Sequence, residues 1–140
     1  MTIYEALQQS AHDAGAKVVE DDALPDGTDG LVVCHGRRKT IIVRKGLSAA
    51  ARKCILAHEI AHLSTGTGDM RAMSALAIVK QEQRAIALTI GSLLPAKRLA
   101  SVLNVCNGNP QIAAEELGVT EDLVECAIKY YRRKGVWGIG

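Results

Sequence analysis

The sequence predicts an α+β domain, with a small sheet near the N-terminus and helices through the rest of the chain. Three observations lead to that class. Apolar residues recur at helical spacing at Ile3, Leu7, Ala11 and Ala14, switch to β-branched runs in AKVVE, LVVC and TIIVR, and return to helical spacing after Ser48. The chain has 140 residues, enough for one compact core and too few for two comfortable ones. Hydrophobic residues make up 48% of it but aromatic residues only 3%, with no Phe, so Ala, Leu, Ile and Val must fill the core, which favours close-packed helices.

The elements follow in order. A short amphipathic helix ends at Gly15, and AKVVE is the first strand. The turn-rich DDALPDGTDG precedes LVVC and TIIVR, which read as a hairpin separated by HGRRK, with His35 exposed in the turn. Ser48 is a natural N-cap for a helix through AAARKCILAHEIAHL, stopped by GTGD. A second long helix, over about 71–94, ends at Pro95, and AKRLASVLNV forms a third. In NGNP, Asn109 caps and Pro110 opens QIAAEEL, Gly118 closes it, and Thr120 starts the last helix, EDLVECAIKYYRRK. The VWGIG tail reads as a lightly docked end. The expected organisation is one domain over 1–140: helix and sheet in 1–47, a helix pair in 48–95 and a helical subdomain in 96–140.

A net charge of +2 gives no footing for a nucleic-acid partner, and the basic run Arg132, Arg133, Lys134 reads as a solvated helix end favourable to the dipole. Cys34, Cys54, Cys106 and Cys126 stand singly, without a CxxC pair, as small residues in a reducing compartment do. The N-terminus lacks a basic start followed by an apolar run, and no 18-residue apolar segment occurs. The expectation is a soluble cytoplasmic protein with no membrane contact.

The chemistry is concentrated in AHEIAHL, 57–63. On a helix, His58 and His62 are one turn apart on one face and can direct their imidazoles at a single zinc ion. Glu59, one residue on from His58, lies beside the metal, where it can take a proton from the attacking water and return it to the leaving amine. That is the mechanical content of HExxH. A catalytic zinc needs a third protein ligand. Asp69 in GTGD and Glu82 on the next helix are the two candidates.

The run from Ser48 to Pro95, with RKCILAHEIAHL followed by EQRAIALTIGSLLP, resembles the ImmA/IrrE family of bacterial and phage metallopeptidases. Members carry an HExxH helix, then a helix with Glu-x-x-Ala-Asn/Asp-x-Phe-Ala ending in Leu-Leu-x-Pro. The Glu of that second motif falls on Glu82, its Ala on Ala85, and the ending on Leu93, Leu94 and Pro95. The resemblance implies a zincin-like domain in which His58, His62 and Glu82 bind Zn2+ and Glu59 is the general base. It implies further a zinc endopeptidase that cleaves a helix-turn-helix repressor of a prophage or mobile element, derepressing other genes. Ile86 departs from the family's Asn or Asp and Leu88 from its aromatic; an outer-shell polar group commonly orients a ligating histidine, a job that a backbone carbonyl or another carboxylate could also take here. Such groups govern about 10–100-fold in affinity or activity.

Four further features bear on function. Cys54, one turn before His58, reads as core. His12, on the first helix, reads as exposed. Of Tyr130 and Tyr131, either of which could donate to an oxyanion, one is expected in the core and one on the surface. The segment IAAEELGVTEDLVECAIKYY has the outline of a DNA-reading helix pair, but Glu121, Asp122 and Glu125 would face phosphate, so a hairpin packed on the core is expected. The alternatives to a peptidase are a regulator that binds a repressor without cutting it and a small DNA-binding protein.

Overall fold

The computed structural model describes residues 1–65 and 74–136. The α+β class is observed: three strands and six helices among the described residues. Helix α1 (Ile3–Asp13) opens on a capping box, with the Thr2 hydroxyl accepting from the Glu5 amide and the Glu5 carboxylate accepting from the Thr2 amide. Strand β1 (Ala16–Asp21) follows, then β2 (Gly30–His35) and β3 (Arg38–Arg44). The hairpin turn is tighter than HGRRK implies. His35 and Arg38 already pair across the strands, leaving Gly36 and Arg37 as the loop, with Gly36 at φ 63° as such a two-residue turn requires. His35 is exposed at the strand end.

The strands lie in the order β1-β3-β2, with β3 parallel to β1 and antiparallel to β2. The central strand carries the fully buried Ile41 and Val43, which is why the β-branched run TIIV occupies it. Arg44 holds the loop between β1 and β2 in shape. Its guanidinium donates to the carbonyls of Pro25 at 2.9 Å and Thr28 at 2.8 Å and pairs with Asp29 at 3.2 Å. That loop delivers the chain to Gly30 at the start of the sheet edge.

Helix α2 (Ala49–Ser64), capped by Ser48, packs on α1, β2 and β3, and its Leu56 and Ala57 are buried in the core. Helix α3 (Ala75–Leu93) is capped by Ser74 and lies against α2; the expected start near 71 falls outside the described residues. Pro95 breaks the chain so that α4 (Ala96–Val105) runs at 66° to α3. Helix α5 (Pro110–Leu117) has the Asn109 cap and Pro110 in its first turn, and Gly118 closes it at φ 67°, a left-handed conformation natural to glycine. Helix α6 (Glu121–Arg133) starts at Thr120 and buries Val124, Ala127 and Tyr131 at helical spacing. The α5–α6 pair is thus docked on the core, as expected.

Ile41, Leu56, Ile90, Leu94 and Leu99 are fully buried, each stabilising the fold by about 1.5–3 kcal/mol. The Tyr131 hydroxyl donates to the Leu94 carbonyl at 2.8 Å, tying the last helix to the bend before Pro95. Of the tail, Val136 packs against the core and residues 137–140 lie outside the described residues. No single described helix is long and apolar enough to cross a membrane.

Candidate metal centre

The i, i+4 spacing on α2 stacks the rings of His58 and His62 edge to face, with centroids 4.6 Å apart and Nε2 atoms 3.0 Å apart. Helix α3 brings Glu82 opposite them. Its Oε1 lies 2.8 Å from Nε2 of His62 and its Oε2 3.3 Å from Nε2 of His58. Among the described residues these three form the one group whose donor atoms converge closely enough to hold a metal ion. A tetrahedral zinc with bonds of about 2.0–2.1 Å has ligand–ligand edges of about 3.4 Å, so separations of 2.8–3.3 Å are a slightly contracted version of that frame. Two imidazoles and one carboxylate are also the donor chemistry of catalytic zinc. Asp69, the other candidate for third ligand, lies outside the described residues.

Burial grades across the site. His62 is buried, His58 partly so, and the Glu82 side chain keeps 41% of its surface exposed, leaving the cluster open on the α3 side. Burial lowers the pKa of His58, the neighbouring His62 lowers it further, and Glu82 opposes both. The balance favours the neutral imidazole that a metal requires. The Thr65 hydroxyl donates to the His62 carbonyl at 3.0 Å, closing the last turn beneath the second histidine.

Glu59 is itself buried, although it carries a carboxyl group. Burial, and then the charge of Glu82, raise its pKa to about 7, so it is poised to exchange a proton near neutrality. Gly30 lies on one side of it. A Cβ built there would lie 3.1 Å from Cγ and 3.2 Å from Oε1 of Glu59, and 2.5 Å from Cγ2 of Ile55. Only glycine lets the sheet edge approach α2 this closely. Sequence reasoning missed this residue, and the available signal was a glycine opening a β-branched strand, which often marks close backbone approach.

The remaining residues that the sequence offered for chemistry lie outside the cluster. Cys54 is buried in the core, with the Thr120 hydroxyl 3.9 Å from its sulfur, and His12 is exposed on α1. Tyr131 is the core tyrosine and commits its hydroxyl to Leu94; Tyr130 is partly exposed. Nδ1 of His62 is buried with no hydrogen-bond partner among the described residues. Ile86 turns its side chain to a groove between α3 and α6.

The fold and site together define a zincin-like domain: a small sheet, an HExxH helix across it, and a carboxylate from the next helix completing a metal-capable cluster. The chain belongs to the Peptidase_M78 family, matching the model of the IrrE N-terminal-like domain over residues 11–129. Its fold is similar to that of a Mycobacterium tuberculosis transcriptional regulator, with a TM-score of 0.65 and 22% identity over 87% of this chain. The match spans 39% of the regulator's length. No curated protein matches the chain.

Proposed function

We propose that the chain is a zinc-dependent endopeptidase whose substrate is a cytoplasmic helix-turn-helix repressor of a prophage or mobile element. The observation that carries the reading is the pairing of the His58–His62–Glu82 cluster with a buried carboxylate, Glu59, raised to about 7. His58, His62 and Glu82 would hold the ion. Bound there, zinc would polarise the scissile carbonyl and lower the pKa of water.

The protein's own groups account for the rest. Glu59 accepts the proton of the attacking water and delivers it to the departing amine. The absent side chain at Gly30 leaves the space that this carboxylate and Ile55 occupy. Strand β2 pairs only with β3 among the described residues, so its other edge offers backbone groups to an extended substrate beginning at Gly30, the residue facing Glu59.

The experiment is a comparison of new protein N-termini in a bacterial lysate treated with zinc-loaded wild type or Glu59→Gln. Cleavage by the wild type alone supports the reading, and identical N-termini in both would sink it. A second reading, a regulator that binds a repressor without hydrolysis, is favoured by the unpartnered Nδ1 of His62 and by the name of the similar regulator. An undiminished biological effect of Glu59→Ala would select it.

A further inference from the structure

Between α3 and α6 lies a cavity of about 500 Å³, lined by Gln83, Ile86 and Ile90 from one helix and by Lys129, Tyr130 and Arg133, among others, from the other. Its floor is aliphatic, its rim cationic, and among the described residues no carboxylate lines it. Arg132 also reaches this rim, and neither it, Lys129 nor Arg133 forms an ion pair among the described residues. Their position near the C-terminal end of α6 suits the helix dipole, but that accounts only for the charges and not for the aliphatic floor beneath them. Ile86 is one helical turn beyond Glu82 on α3, about 6 Å along the axis. An extended chain advances about 3.3 Å per residue, so a segment seated in the groove is within a few residues of the metal cluster.

We propose that this groove docks an acidic segment of the protein partner, one aliphatic side chain seating on Ile86 and Ile90 while flanking carboxylates face Lys129, Arg132 and Arg133. The identification of the partner as a protein rests on the function proposed above; the docking chemistry does not. A nucleic-acid phosphate would meet the cations but leave the aliphatic floor uncovered, which favours an acidic peptide.

The test is fluorescence anisotropy with full-length Glu59→Gln protein, which holds the groove intact and does not consume a peptide. The probe is a fluorescein-labelled peptide with a central leucine between glutamates. Its controls are the glutamate-to-lysine and leucine-to-serine versions and a labelled DNA duplex. The expected result is a Kd at least about tenfold lower for the acidic leucine peptide than for either peptide control, weakened by salt. Adding Arg132→Glu and Arg133→Glu should weaken it by about tenfold in a protein that stays folded, with only the small loss of thermal stability expected from reversing charges at a helix C-terminus; the paired Arg→Gln substitutions serve if charge reversal impairs folding. Equal affinity for acidic and basic peptides, unchanged affinity in the folded variant, or tighter binding of the duplex would each overturn the proposal. A His58→Ala protein, impaired in the metal cluster, keeps the peptide affinity if the groove acts as stated. Loss of peptidase activity and loss of docking are therefore read separately.

Discussion

Gly30 faces Glu59 with no room for a side chain between them: a methyl group on the glycine would come within 3.2 Å of the carboxylate oxygen Oε1. The sheet edge is thereby a wall of the site as well as part of the fold, and the space beside the candidate base depends on a missing side chain.

Gly30→Ala should therefore do two things. Overpacking against Ile55 costs about 1–3 kcal/mol of stability, seen as a lowered Tm. Displacement of Glu59 should lower kcat/KM by more than the loss of folded protein explains, while metal content stays near that of the wild type. An alanine variant with full turnover would show that the close approach has no positioning role.

The ligand set makes a separate forecast. His58→Ala and Glu82→Ala should each reduce bound zinc to well below one ion per chain, measured by elemental mass spectrometry on purified protein. Asp69→Ala should retain it. Retention of zinc by Glu82→Ala with loss in Asp69→Ala would transfer the third position to the aspartate.

Much of the architecture was legible because local chemistry and tertiary structure agree. Ser48, Asn109, Pro110 and Thr120 cap or open the helices they signal, and Gly118 takes the left-handed conformation that ends α5. The spacing in HEIAH placed both imidazoles on one face, because that follows from helix geometry alone. Two relationships were not legible. The order β1-β3-β2 depends on a return of the chain that no periodicity encodes. The close approach of Gly30 to Glu59 joins residues 29 positions apart through the packing of a sheet edge on a helix.

Tyr131 illustrates how a candidate for chemistry becomes a structural group. Its hydroxyl is committed to the Leu94 carbonyl at 2.8 Å. Tyr131→Phe should cost about 1 kcal/mol of stability, with the Leu94 carbonyl left unsatisfied, and leave kcat/KM unchanged. A large loss of turnover at unchanged Tm would return this tyrosine to the reacting centre.

The sharpest forecast concerns pH in the metal-free protein. Glu59 has its pKa raised from 4.5 to about 7, so the fold favours its protonated form. Its contribution to stability is complete below 4.5 and is lost as pH rises through about 7. His58 acts in the opposite sense. Its lowered pKa means that the fold favours the neutral ring, and its contribution, present above 6.5, is lost as pH falls. The two oppose each other in mildly acid solution, whereas from about pH 6.5 to about 8 the Glu59 effect dominates. In that window the Tm of chelator-treated wild type should fall with rising pH, and Glu59→Gln should abolish the fall. Adding zinc should reverse it, because a cation in the cluster favours the ionised carboxylate and so moves the Glu59 titration below 7. The acid limb of any peptidase activity should then lie below the metal-free titration. A wild-type Tm that is flat across the window, with or without metal, would show that Glu59 is not the buried, proton-holding group its surroundings make it.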